Sequence, residues 1–447
     1  MTQINATDLL ETASQRADAA ELYELRSFSL PVRFRAGALE SVKAVSTAGR
    51  ALRIVEDGRL GFSTTTDMTD DAQLIENGRV SAQFGDRAPF EFPSEALMPS
   101  VACFDEDVDD LDEEAMIELG ASVVERLEAY DDTLQIEVSV DKSVNQVRLL
   151  NTAGLDLEER RTAFSMSVEA TRAAEGDILI VYDAASSRRR SDVDAAALAD
   201  GVIERLRWAE EAAQVESEPM PVVFRSLGVL PLFIPLMQGL NGRQVYLGAS
   251  PLAKRQDRQV LDERFTLVDD GRLDFASRSA SFDDEGVPTF EKPLIERGVV
   301  RHFLYDLKTA AQTGSQPTGN GFKSGGISGG GFRRPPGVSP STWVVPPGQR
   351  SLEAILADLD EVLLVDQVIG LGQGNVLAGE FSNNVSVGFL VRNGEIVGRV
   401  KNTMVAGNVY DLLKERLIAL SDEPRWVYGL LQVPAVAIDS VSVVSKG

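Results

Sequence analysis

The chain has one histidine, His302, and one cysteine, Cys103, in 447 residues. A single cysteine excludes a disulfide within the chain. One histidine leaves a Ser-His-Asp arrangement only that imidazole to use, and it excludes a zinc site built on two or more histidines. His302 lies in VVRHFLYD, which alternates like a strand and offers no catalytic partner, so its expected role is structural or superficial. No apolar run is long enough to span a bilayer and no apolar h-region follows Met1, so the sequence reads as cytosolic, with no membrane partner. Basic residues are scarce too: 44 Lys and Arg face 69 Asp and Glu, a net charge of −25. A surface of that sign repels phosphate backbones, so direct binding to nucleic acid is not expected.

What is present fits more than one core, since a chain of this length exceeds an ordinary single domain. The spacing of Leu9, Leu10, Ala13 and Ala17 predicts a helix over 6–19. Strand-like segments fill 21–66, with turns at Ala48-Gly49 and Asp57-Gly58. A helix is expected from Thr69, its N-cap, to Glu76, with Asn77-Gly78 as its stop. A strongly amphipathic helix over Leu111 to Tyr130, further strands, and a helix over Asp194 to Ala213 repeat this order. The turns Ser46-Thr47-Ala48-Gly49 and Asn151-Thr152-Ala153-Gly154 lie about 105 residues apart, as do the helices that open each copy. The expected fold class is therefore α+β: an N-terminal duplicated α/β unit on an antiparallel sheet (1–218), then a mainly β, barrel-like or sandwich-like domain (219–447). Tight turns at Asp284-Glu285-Gly286, Glu296-Arg297-Gly298 and Arg392-Asn393-Gly394 carry the second assignment.

The run Thr313–Gly337, TGSQPTGNGFKSGGISGGGFRRPPG, has nine glycines and no hydrophobic periodicity. It reads as a loop lining a cleft or as a mobile surface loop, and no strand-to-helix Walker pattern makes it a phosphate cradle. Arg188-Arg189-Arg190 reads as a solvated or subunit-facing patch, and Asp105 to Glu114 as a solvated acidic entry to a helix. Cys103 reads as a small apolar side chain.

Several ordered motifs carry a resemblance: PTGNG (Pro317–Gly321), SLEAIL, VIGLGQGNVLAGEFSNNVSVGFLVRNGEIVGRVKNTMVAGN (Val368–Asn408) and the terminal YGLLQVPAVAID. Together they resemble the TldD/PmbA family, in detail over the C-terminal half and in general arrangement over the N-terminal half. The resemblance implies one of two branches that pair as a heterodimeric peptidase. The TldD branch carries His-Glu-x-x-x-His, two zinc ligands and a general base for the metal-bound water, followed by a Gly-Leu-x-Gly turn. Gly239-Leu240-Asn241-Gly242 looks like that turn, which puts Phe233, Ile234 and Gln238 at the positions of His, Glu and His. Phe and Ile neither bind zinc nor take a proton, and a lone amide is a weak ligand. The chain is thus similar to the PmbA branch, also called TldE, which lacks the motif.

The resemblance implies no catalytic residue and no cofactor in this chain, with zinc in a TldD-type partner. It implies a heterodimer with that partner, or a homodimer, and an extended peptide as substrate, bound by strand addition to an exposed edge. Thr318, Gly319, Asn320 and Gly321 are the expected substrate contacts, the competing reading being a turn that needs positive φ. The alternative function is an independent regulatory or binding protein of the gyrase-modulator type, with no part in proteolysis. A peptidase with other catalytic residues is the third reading, and no nucleophile–base arrangement is visible for it.

Overall fold

The structure, a computed structural model, describes residues 6–174, 176–323 and 331–446. Residues 324–330 of the glycine-rich run lie outside the described residues. Helix α1 (Ala6–Ser14) leads into strands β1 (Ala19–Arg35), β2 (Ala38–Val42), β3 (Val45–Glu56) and β4 (Arg59–Thr65), then helix α2 (Asp71–Ala82). One turn of helix, α3 (Glu106–Asp109), precedes α4 (Glu113–Tyr130), strands β5 (Gln135–Asn151), β6 (Asp156–Ala174) and β7 (Asp177–Ser187), and helix α5 (Ala195–Trp208). The strands form one sheet in the order β4-β3-β1-β5-β6-β7, with β2 on the end of β1 and every pairing antiparallel. The two central strands, β1 and β5, are the first long strands of the two copies, each copy running helix, strands, helix. The duplication expected from the sequence is thus present as an arrangement around the β1–β5 pair.

Side-chain alternation gives this sheet two different faces. Leu22, Leu52, Ile54 and Leu150 pack under α1 and α2, while Leu30, Val32, Ile136, Val138 and Val140 pack under α4 and α5. The latter core continues into the C-terminal half through Val362, Leu364, Val387 and Phe389, crossing residue 218. On the other face Tyr23, Val147 and Leu149 meet Phe282 and Phe332 from the C-terminal half.

Three sequence expectations shift here. The N-cap of α2 is Asp70, whose carboxylate accepts from Gln73 N at 3.0 Å, one residue after Thr69. The helix runs through Asn77-Gly78 to Ala82. Gly78 stops nothing; it lets the helix lie against the sheet, where a Cβ on Gly61 would sit 2.0 Å from the Gly78 carbonyl oxygen. Ala48-Gly49 is no turn either but part of β3, paired with Arg26 and Leu25. A Cβ on Gly49 would sit 2.0 Å from the ring of Phe332, so this glycine makes room for a side chain from the glycine-rich run. Gly49→Ala is expected to cost about 1–3 kcal/mol by overpacking, read as a lower thermal midpoint; an unchanged midpoint would mean that Phe332 does not anchor the run there.

In the C-terminal half the strands Glu361–Ile369, Pro219–Phe224, Val436–Ser445, Thr403–Asn408 and Glu380–Arg392 pair in that order, and the last pairs back with the first. The ring closes, so of the two expected forms the molecule takes the barrel. The tight turns are where the sequence puts them: Asp57-Gly58, Arg297-Gly298 and Asn393-Gly394 all have positive φ at both residues, as two-residue hairpins of the right twist require. Among the described residues no helix is long and apolar enough to cross a membrane.

Candidate functional site

The site is built where the second face of the N-terminal sheet meets the turn Asp283-Asp284-Glu285-Gly286. Gly286, at φ +80, turns the chain so tightly that a Cβ would lie 2.3 Å from Leu155. Glu21 and Tyr23 of β1 lie on the face that meets this turn. Glu21 holds Arg53 of β3 through two bonds of 2.8 Å, and Arg53 Nη1 reaches Glu285 Oε1 at 2.5 Å. Burial pulls the Arg53 guanidinium down, but Glu21 and Glu285 outweigh it and hold it above its ordinary range. Glu285 is pushed up to about 7, because burial outweighs the attraction of Arg53. Asp283 is held well above the carboxylate range, by burial first and then by Glu285.

The same turn fixes the PTGNG segment. Asp283 Oδ2 accepts from Gly321 N at 2.8 Å and Asp284 N donates to Gly321 O at 3.0 Å. Thr318 Oγ1 donates to Asn320 Oδ1 at 2.8 Å, and Asn320 Nδ2 donates to Asp269 at 3.0 Å and to Ser339 O at 3.1 Å. Gly319 has φ +68, and a Cβ on Gly321 would meet Glu285 at 2.2 Å. The expected substrate contacts Thr318, Gly319, Asn320 and Gly321 are therefore turned inward: all four are buried, and the Thr318 hydroxyl, the Asn320 amide and the Gly321 backbone are hydrogen-bonded within the fold. They are a structural joint, because hydrogen bonds to three buried carboxyl-bearing residues need this backbone where it is.

Beside that joint lies a cavity of about 370 Å³ between the sheet and the segments around Arg278, Asp284, Lys323 and Pro340. Tyr23, Leu25 and Val147 from β1 and β5 form one wall, and Phe322 and Pro340 part of the other. Its charged lining is Arg161, Arg188, Arg278, Lys323 and one carboxylate, Asp284. Arg161 pairs with Glu159 behind the wall. Asp284 accepts from the Lys323 backbone N at 2.7 Å, while burial and Asp284 together hold the Tyr23 hydroxyl well above its ordinary range. Lys323 Nζ lies 4.9 Å over the Tyr23 ring and 5.4 Å over Phe62. Sequence reasoning missed this cluster; its only local signal is basic residues inside, and just before, stretches that read as loop. Arg188 corrects the reading of its run as solvated: it is 7% exposed and donates to Thr162 O at 3.1 Å.

The positions of the zinc motif lie on the helix Leu230–Gly239, which runs on through Pro235. Phe233 is 1% exposed in the main C-terminal core, 6.4 Å from the Phe265 ring, and Ile234 and Gln238 are half-buried. The donor set here is two hydrocarbons and an amide. Among the described residues no group of three His, Cys, Asp or Glu side chains could hold a metal. A zinc ion does not fit these residues. His302 is exposed, its Nδ1 2.7 Å from Pro293 O, and Cys103 is buried with its thiol pushed up to about 11 by desolvation.

Three family profiles match in succession: PmbA/TldA metallopeptidase domain 1 over residues 20–82, the central domain over 106–215, and the C-terminal domain over 217–445. An uncharacterized protein of Methanocaldococcus jannaschii is 26% identical over 433 residues, covering 96% of this chain and 97% of its own. The metalloprotease PmbA of Escherichia coli is 24% identical over 415 residues, 90% of this chain and 87% of its own. Among solved structures, TldE from Thermococcus kodakarensis superposes with a TM-score of 0.90 at 22% identity, over 98% of this chain and 99% of that one. A Thermotoga maritima protein, described as a modulator of a DNA gyrase, superposes with a TM-score of 0.87 at 23% identity, over 98% and 99%. The structural likenesses carry the fold, and the profiles, the last of which alone spans over half the chain, carry the kinship: the chain belongs to the PmbA/TldA metallopeptidase family.

Proposed function

We propose that this chain is the non-zinc member of a two-chain metallopeptidase, shaping a cleft for extended peptide while a TldD-type homologue supplies the zinc. The observation that carries the reading is Phe233, packed in the core at the position where the family's zinc motif begins, with Ile234 in place of the general base. A hydrocarbon in the core neither holds a metal nor moves a proton, so hydrolysis through this motif has to come from another chain. The metalloprotease names of relatives such as the Escherichia coli protein support the reaction class.

Co-expression with a homologue bearing intact His-Glu-x-x-x-His tests this. The expected result is a co-purifying pair with about one zinc per heterodimer, cleaving unstructured peptides, and no cleavage by this chain alone. If this chain alone bound stoichiometric zinc and cleaved such peptides, the proposal would be wrong. If no pair formed, the regulatory reading suggested by the Thermotoga maritima relative's description would take its place. The net charge of −25 speaks against a regulator that contacts DNA directly.

A further inference from the structure

The cavity between the sheet and the Asp283–Gly286 turn has an unusual charge for this molecule. In a chain of net charge −25, its lining carries four cations and one carboxylate. Two of the cations, Lys323 and Arg188, form no salt bridge among the described residues, although Glu21, Asp284 and Glu285 act on the first and Glu159 on the second from farther off. Lys323 is 3% exposed, and its Nζ donates to Arg334 O at 3.5 Å, a long hydrogen bond. Arg188 gives one Nη–H to the Thr162 carbonyl, and its Nε has no hydrogen-bond partner among the described residues. Arg278 lines the same space and donates to Pro340 O at 3.2 Å. Burial pulls Lys323 down to about 8 and Arg188 down to about 10. Buried cations in this state are costly, and an anion arriving among them would recover part of that cost through charge-assisted hydrogen bonds.

The rest of the wall defines what bears the anion. Leu25, Val147, Ala163, Phe322 and Pro340 make it largely apolar, and a volume of about 370 Å³ is at the small end of ligand sites. Asp284 stands in the same wall and would repel a highly charged phosphate ester. We infer that this cavity binds a carboxylate on an apolar peptide segment, with Lys323, Arg188 and Arg278 taking the charge and the walls of β1 and β5 taking the side chain. That the carrier is a peptide rests on the reading above; that the site takes a carboxylate does not, and it needs no partner chain.

The test uses the full chain alone, by calorimetric titration at pH 7 with three blocked dipeptides. Acetyl-Leu-Leu with a free carboxylate is expected to bind, and its C-terminal amide to bind at least ~10-fold more weakly, the worth of hydrogen bonds to a charged group. Acetyl-Glu-Leu amide identifies the source: binding as tight as the free acid assigns the site to acidic side chains as well as chain ends, and weaker binding assigns it to chain ends. Lys323→Gln is expected to weaken the free acid by ~10-fold or more, while Arg188→Lys, which keeps the charge, is expected to retain most of the affinity. Thermal unfolding of each variant establishes that it is folded. Equal binding of acid and amide, wild-type affinity in folded Lys323→Gln, or saturation by inorganic phosphate with none of the peptides binding would each overturn the inference. A failed pairing with a zinc-bearing homologue would leave these titrations unaffected, so the two proposals fail separately.

Discussion

Asp366→Ala is expected to destabilise the protein by about 3–5 kcal/mol, the usual cost of removing one partner from a buried ion pair. Asp366 is wholly buried in the barrel strand Glu361–Ile369, with Oδ1 2.8 Å from Arg205 Nε and Oδ2 2.9 Å from Arg225 Nε. Arg205 belongs to α5, so this carboxylate ties the N-terminal half to the barrel. Its contacts are ionic rather than well-aligned hydrogen bonds. The consequences of its loss differ for the two arginines. Arg205 keeps Asp183 at 2.8 Å, whereas the side chain of Arg225 keeps, among the described residues, the Trp208 ring at 5.3 Å and a distant Glu204 at 3.9 Å. Burial already pulls Arg225 below its ordinary range despite Asp366, so it is the group left most exposed to the change. Urea unfolding reads the effect as a lower midpoint at unchanged slope. An Arg225→Leu change in the Asp366→Ala background is expected to recover part of the loss, because it removes the orphaned charge; a double variant no more stable than the single one would refute that account.

What the sequence made legible follows how local the cause is. Asp57-Gly58, Arg297-Gly298 and Asn393-Gly394 are readable because two adjacent residues must take positive φ, and the reason lies within the turn itself. Ala48-Gly49 also ends in glycine, but the glycine has a remote cause, the Phe332 ring, and is misread for that reason. The turns of the C-terminal half point to a β domain, but whether its strands close into a barrel depends on the pairing of Glu361–Ile369 with Glu380–Arg392 and of both with distant neighbours. The site shows the same division. Phe233, Ile234 and Gln238 are legible against a motif, because the residue type alone settles whether an ion can be held. The Asp283–Gly286 turn reads as a turn, which it is, while its role depends on Arg53, 232 residues away. Lys323 and Arg188 come from stretches that look solvated, and only the fold closes over them.

Arg53→Met is expected to cost about 3–5 kcal/mol near neutral pH, and to cost more as the pH rises. Arg53 bridges Glu21 of β1 and Glu285 of the C-terminal turn, and Phe90 and Phe92 pack over its guanidinium at 5.7 and 5.2 Å. Its loss leaves two buried carboxyl groups without their cation, among Asp283, Asp306 and Lys323. The sign follows from Glu285. Its carboxyl is raised from an ordinary value near 4.5 to about 7 in the folded state, so the native protein holds this proton more tightly than the unfolded chain does. The stability this group contributes is therefore full below about 4.5 and is lost as pH rises through about 7. Without Arg53 the charged form loses its main attraction, the folded value moves higher still, and the falling limb extends above pH 7. Unfolding midpoints of wild type and variant at pH 6, 7, 8 and 9 measure this directly, the expected gap widening with pH. Glu285→Gln in the Arg53→Met background is expected to flatten that limb, since the amide needs no proton to stay buried. A gap that does not change with pH would mean that Glu285 reaches solvent in the variant, and that the joint between sheet and turn opens when this one cation is removed.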